Sequence, residues 1–310
     1  MKADIAFVFP GQGSQSVGML AELGAVHPIV IETFAEASSA LGYDLWHLVQ
    51  HDNDGQLNQT HITQPALLAS SVALWRLWLQ QGGVTPTVLA GHSLGEYSAL
   101  VCAGALDFSD ALKLVEARGH FMQAAVPPGE GAMAAIIGLD NAAIADACQQ
   151  SAHGEVVAPV NYNSPGQVVI AGSSAAVERA MTACKDAGAK RALPLPVSVP
   201  SHCALMLPAA DKLSAMLEGI DIKTPAIPVV QNVGATVATS SESIASNLVA
   251  QLHQPVLWTQ CIEAIADSGA NLVIECGPGK VLNGLTKRIN KTLQSASIND
   301  AASLAATLEH

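Results

Sequence analysis

Short runs made only of apolar residues alternate along the first part of the chain with longer stretches in which apolar residues recur every three or four positions. The run IAFVFP, residues 5–10, has no polar position, which is the pattern of a strand covered on both faces. Helical spacing follows over residues 28–41 and 64–81. A second buried run comes next, Thr87-Val88-Leu89-Ala90, and then a small-residue helical stretch over 96–104. Strands separated by helices predict a parallel sheet with helices on both sides, because a parallel neighbour needs a crossover connection.

A further helix, 109–126, runs into Pro127-Pro128-Gly129-Glu130-Gly131, a cluster of breakers that reads as a hinge. Beyond it AMAAIIGL reads as a strand, NAAIADACQQ as a helix and EVVAPVNYN as a strand. After a Ser164-Pro165-Gly166 turn, QVVIAG reads as a strand, SAAVERAMTACKDAG as a helix and KRALPLPV as a strand. The order β-α-β-β-α-β is that of a ferredoxin-like unit. The earlier alternation then resumes with a helix near 204–218, strands in IPVVQNV and NLVIECG, and helices between and beyond them. The predicted fold is therefore α/β: a hydrolase-like parallel-sheet core from residues 1–128 and 198–310, with a ferredoxin-like (βαββαβ) small domain, 129–197, inserted into it.

Composition narrows the classes of function. Half of the 310 residues are hydrophobic and 13% are charged, which suits a compact α/β enzyme and excludes disorder. A formal net charge of -12 argues against nucleic acid or an anionic membrane surface as a general partner. Met1-Lys2-Ala3-Asp4 leads straight into a strand, and no apolar run reaches spanning length, so neither a secretion signal nor a membrane segment is expected and the cytosol is the expected compartment. Cys102, Cys148, Cys184, Cys203, Cys261 and Cys276 stand singly, without C-x-x-C pairs; they read as reduced core thiols, and no metal site is expected.

Candidate chemistry gathers at GHSLGEYSAL, residues 91–100. Ser93 lies between two glycines at a strand-to-helix turn, the setting that exposes a nucleophilic hydroxyl beside unpaired helix N–H groups. Its base should be a histidine later in the chain. His120, His153, His202 and His253 qualify, and His202 in VPSH and His253 in QLHQPVLW are the leading pair. No carboxylate stands out as a third member, since Asp140 reads as a helix N-cap. The loop FPGQGSQ, 9–15, is either an anion-binding turn or a plain one, and it lacks the third glycine of a dinucleotide fingerprint. Arg118, near a helix end, either meets solvent or binds a substrate carboxylate.

The ordered series FPGQGSQ, GHSLGEYSAL, EARGHFM, NYNSPGQVVIAG, VPSH, QLHQPVLW and ECGPGKVL resembles the malonyl-CoA:acyl-carrier-protein transacylase family of bacterial fatty acid synthesis, across essentially the whole chain. That resemblance implies a malonyl ester on Ser93, with His202 as general base and then acid. It also implies an oxyanion hole from the backbone amides of Gln12 and Leu94, and Arg118 as clamp for the malonyl carboxylate. The main-chain carbonyl of Gln251 would orient the histidine, and Asn161 and Asn163 would line the cleft between the domains. Malonyl-CoA is then a substrate, acyl carrier protein the partner, no cofactor is required, and a monomer is expected. One departure is visible: Gln254 precedes Pro255 where the family usually has asparagine, and His253 stands where an aromatic residue is common. An acidic carrier docking on an acidic chain needs a local basic patch, for which Lys190, Arg191, Lys280, Lys287 and Arg288 are the candidates.

Overall fold

The structure is a computed structural model that describes residues 4–197 and 199–309; residues 1–3, His310 and Ser198, where the chain was expected to return to the core, lie outside the described residues. Among the described residues nine strands form: β1 (Ile5–Phe9), β2 (Val88–Gly91), β3 (Gly131–Ile137), β4 (Val157–Ser164), β5 (Gln167–Ser173), β6 (Arg191–Pro194), β7 (Val229–Val230), β8 (Leu272–Cys276) and β9 (Gln294–Ile298). They divide into a five-stranded sheet in the order β7-β2-β1-β8-β9, every pair parallel, and a four-stranded antiparallel sheet in the order β4-β5-β3-β6.

Alternation of side chains explains why β1 carries no polar residue. Ile5, Phe7 and Phe9 point into the larger core, where the Phe7 ring meets Trp75 edge-on at 5.6 Å and tilts against Trp78 at 5.3 Å. Ala6 and Val8 point the other way, into a second core under the helices Trp258–Asp267 and Val281–Ile289. Both faces are dry, so each position must be apolar.

The antiparallel sheet is built from residues 131–194 and keeps the βαββαβ order, with β3 between β5 and β6. Its helices, Asn141–Ser151 and Ser174–Asp186, cover one face through Ile136, Ile144, Val168, Ile170 and Val177. Asp140 caps the first of them, accepting from Ala142 N–H at 2.8 Å. The other face, with Met133, Val160, Val169 and Ala171, turns toward Cys203. Val256 ties the two sheets together. Its N–H donates to Val160 O at 2.8 Å and its carbonyl accepts from Tyr162 N–H at 3.0 Å, so the Gln254-Pro255 segment serves as a bridge to β4.

Several boundaries differ from the sequence reading. The helix expected from 64 begins at Thr60 and carries Pro65 inside it; almost all of its residues are buried, and packing outweighs the proline. The strand expected over 190–197 shrinks to Arg191–Pro194, where prolines interrupt pairing, and the one over 227–233 to Val229–Val230. The fifth parallel strand, β9, was not expected: QSASI has little β signal, and its pairing with β8 makes it a strand. Among the described residues no helix is long and apolar enough to cross a membrane.

A tight backbone approach joins β1 to the helix Gly95–Cys102. A Cβ on Gly95 would stand 2.0 Å from Phe9 O, whereas one on Gly284 would meet nothing within 4 Å. We expect Gly95→Ala to cost about 3 kcal/mol and Gly284→Ala, in an open helical position, to gain about 0.5–1 kcal/mol. Urea midpoints of the two variants, taken with unchanged slopes, check both signs.

Candidate active site

Ser93 stands two residues beyond β2, whose last residue, Gly91, pairs in register with Phe9 at the end of β1. The carboxyl ends of adjacent parallel strands thus bring the Gln12 loop, the Ser93 turn and the residues after β7 into one crevice. The turn is sharp enough to force Ser93 to φ 52, a conformation that costs a non-glycine residue about 1–3 kcal/mol. Asn232, just after β7, holds it there: its Oδ1 accepts from Ser93 N–H at 2.8 Å and its Nδ2 donates to Gly91 O at 2.7 Å. Gly91 has no room for a side chain, since a Cβ would lie 1.9 Å from the Gly95 carbonyl carbon.

His202 meets Ser93 across 109 residues of chain. The Ser93 hydroxyl donates to its Nε2 at 2.8 Å, and its Nδ1–H donates to Gln251 O at 2.6 Å. A carbonyl can only accept, so the proton is fixed on Nδ1 and Nε2 is left with its lone pair toward the hydroxyl. His202 itself sits at φ 66 and is anchored by its own N–H to Leu252 O at 3.0 Å. Burial holds the imidazole down at about 3; the charge of Arg118 and the His92 ring push the same way, and the Gln251 carbonyl opposes them. The ring is neutral at physiological pH. His253 does not compete: it lies at the end of the helix Ser241–His253, on a separate hollow with Ser214, Glu218 and Val249. His120 stacks on His61 at 4.1 Å, and His153 occupies a turn after the first helix of the small domain.

Arg118 is wholly buried. Its Nη1 donates to Gln64 Oε1 at 2.7 Å, its Nη2 to Gln251 Oε1 at 3.0 Å, and its guanidinium lies 5.4 Å from the Tyr97 ring centre. Gln251 therefore serves twice, with its main-chain oxygen on His202 and its side-chain oxygen on Arg118. Its Nε2 reaches Ser93 O at 3.0 Å and Glu96 Oε2 at 3.1 Å. Glu96, equally buried, accepts in addition from Asn232 N–H at 2.7 Å and Gln231 Nε2 at 3.0 Å.

The backbone amides have an instructive distribution. Ser93 N–H is taken by Asn232, Gly95 N–H by His92 O, Glu96 N–H by Ser93 O and Tyr97 N–H by Leu94 O. Within that first turn, Leu94 N–H has no acceptor among the described residues, and neither has Gln12 N–H. Gln12, Ser93, His202 and Asn161 line a cavity of about 270 Å³ together with Met133, Leu195 and Val199. Asn163 lies behind it: the His92 ring, edge-on to Trp258, donates from Nε2 to Asn163 Oδ1 at 2.8 Å.

The basic candidates separate. Lys190 and Arg288 border one hollow with Gly138, Pro165 and Gln167, and Arg288 donates to Gln167 Oε1 at 2.7 Å. Lys280 is drawn to Asp300 at 3.8 Å, Arg191 lies exposed on β6, and Lys287 is exposed in the last turn of Val281–Ile289. Sequence reasoning missed Gln64, Glu96, Gln231 and Asn232. Only Glu96 carried a signal, as a carboxylate three residues beyond Ser93 in an otherwise small and apolar run.

Residues 6–310 match the acyl transferase domain family. The chain is 64% identical to the malonyl CoA-acyl carrier protein transacylase of Salmonella typhimurium, over 98% of each chain. Against the enzyme of that name from Bacillus subtilis it is 46% identical, over 96% of this chain and 93% of the relative. The crystal structure of an acyl carrier protein S-malonyltransferase from Vibrio cholerae superposes with a TM-score of 0.96 at 62% identity, covering 98% of this chain and 99% of that one. A malonyl-transacylase solved in complex with its type II polyketide acyl carrier protein superposes with a TM-score of 0.98 at 60% identity, covering 99% of both chains. With the Ser93–His202–Gln251 relay set at the carboxyl ends of its parallel sheet, the chain belongs to the acyl transferase domain family, among the malonyl CoA-acyl carrier protein transacylases.

Proposed function

We propose that this enzyme moves the malonyl group of malonyl-CoA to the phosphopantetheine thiol of acyl carrier protein through an ester on Ser93, supplying an extender unit for fatty acid synthesis. The observation that carries this reading is a hydroxyl bonded to a neutral imidazole with its free lone pair, next to a buried arginine held only by neutral amides. Ser93 Oγ attacks the thioester carbonyl as its proton passes to His202 Nε2. The carbonyl oxygen becomes an oxyanion and is received by the free N–H groups of Leu94 and Gln12. As the tetrahedral species collapses, the C–S bond breaks and the CoA sulfur takes the proton from His202. The carrier thiol then repeats these steps in reverse order of roles, giving its proton to His202 and releasing Ser93.

Arg118 supplies selectivity. A carboxylate is a stronger acceptor for a guanidinium than an amide oxygen, so a malonyl carboxylate displaces Gln64 or Gln251 from the fork favourably. An acetyl group offers no such exchange. Asn161, whose Oδ1 is buried without a partner among the described residues, stands on the cavity wall to receive an N–H of the donor. Lys190 and Arg288, flanking one hollow, are the best-placed pair for an acidic carrier, while Lys280 is paired with Asp300. The same reading takes the enzyme as a monomer that works in the cytoplasm without a cofactor.

Radiolabelled malonyl-CoA mixed with the protein and quenched in acid should leave near one label per chain, discharged by added carrier protein and absent in Ser93→Ala. Release of free malonate without retained label would make water the acceptor and a hydrolase the correct reading. Arg118→Ala should slow malonyl loading by about 100-fold and acetyl loading far less, through the shared Gln251 alone, and equal losses for both donors would remove the clamp. Nitrogen NMR of the histidine rings should find His202 neutral, with its proton on Nδ1, at pH about 5, where an ordinary imidazole is charged. An ordinary titration near 6.5 would contradict this relay.

A further inference from the structure

Three hydrogen-bond donors converge on Glu96, and among the described residues its carboxyl oxygens meet donors alone. Gln231 Nε2 lies 3.0 Å from Oε1, and Asn232 N and Gln251 Nε2 lie 2.7 and 3.1 Å from Oε2. The Gln231 amide is itself oriented, because its Oε1 accepts from Asn247 Nδ2 at 2.8 Å. A pocket of donors calls for a group that only accepts, which is an ionised carboxylate. Charge points the same way. Arg118, from the helix Phe108–Ala125, brings a full positive charge into a dry interior, and among the described residues Glu96 is the buried carboxylate that faces it. The other titratable groups around Glu96 are Tyr97 on its own helix and Cys261 from the helix Trp258–Asp267, and burial raises both so that they stay neutral.

Glu96 is also placed to act on every part of the relay without touching a reacting atom. Through Gln251 it reaches two groups, since the same residue presents its main-chain oxygen to His202 and its side-chain oxygen to Arg118. Through Asn232 it reaches a third, since Asn232 receives the Ser93 N–H and so holds the strained turn.

We propose that Glu96 is a positioning residue: its ionised carboxylate locks Gln251 and Asn232 so that base, nucleophile and carboxylate clamp keep one geometry, and it balances the charge of Arg118 while the clamp is empty. This rests on the malonyl-transfer reading and deepens it. Loss of the charge frees the Gln251 side chain to turn, and the clamp and the base then drift together. Burial raises the Glu96 carboxyl to about 7, against the pull of its three donors and Arg118, so a fall in pH through neutrality removes the lock while His202 remains neutral. The sign is fixed: malonyl loading is fast above that value and slow below it.

The experiment is the pH profile of kcat/KM for malonyl loading, taken with the full chain and with Glu96→Gln, Glu96→Asp and Gln231→Leu, each checked for its circular dichroism. Wild type should show an acid limb near 7. Glu96→Gln should be about 10–100-fold slower on the plateau, mainly in kcat, and flat across that limb, because it carries no charge and sets an N–H2 among donors. Glu96→Asp, still an acceptor-only group, should restore the limb and part of the rate. Gln231→Leu removes one of the three donors on Glu96 and should move the limb up by about 0.5 pH unit or more, a shift read independently of any change in the plateau rate. A Glu96→Gln enzyme within about twofold of wild type and with the same limb overturns the proposal. If that variant fails to fold, an unmoved limb in Gln231→Leu overturns it equally. Failure of wild type to load malonyl at all would instead remove the transfer reading, so the two failures are distinct.

Discussion

A full positive charge buried beside the nucleophile is the constraint on which this structure turns. Arg118 has no exposed surface, and leaving such a charge unpaired costs several kcal/mol even after relaxation. The fold answers with a shell of oriented groups: amide oxygens from Gln64 and Gln251 on the fork, the Tyr97 ring below it and the Glu96 carboxylate one residue further out. Because Gln251 belongs both to that shell and to the His202 hydrogen bond, the solvation of one buried cation and the orientation of one imidazole become a single problem.

The same economy explains the missing acid. In a serine–histidine–carboxylate relay the third group fixes the tautomer and also stabilises the imidazolium. Here a main-chain carbonyl fixes the tautomer, while a carboxylate directly on His202 would add a further buried charge to balance. Burial, supported by the field of Arg118, keeps the imidazole neutral, so its lone pair is open to the Ser93 proton and the imidazolium formed is a ready donor afterwards. The antiparallel sheet supplies the remaining wall. It is tied by Val256 to the segment that follows Gln251, so the cavity roof and the carbonyl are set by one stretch of chain.

Much of the architecture was legible because it rests on local patterns. The all-apolar run of β1, the glycines at 91 and 95 and the β-α-β-β-α-β succession each have a direct physical cause, and the structure places all of them in these elements. The short strand β7 and the polar strand β9 were not legible, since what makes them strands is a neighbour distant in sequence rather than their own composition. In the site, Ser93 announced itself through its turn, whereas His202 and His253 were left open by spacing, and the choice between them came from the resemblance of neighbouring motifs.

The sequence by itself determined the classes of element, the turn that mounts Ser93 and the family to which the motifs point, because each of these is written in contiguous residues. Tertiary structure alone decided that Gln64, Glu96, Asn232 and Gln251 form one network around Arg118, with hydrogen-bonded partners up to 155 residues apart along the chain. Polar residues at such distances carry no periodic signature. Whether a glutamine is solvated surface or the partner of a buried cation depends on which face of which helix the completed core covers, and that is settled only when both sheets have packed.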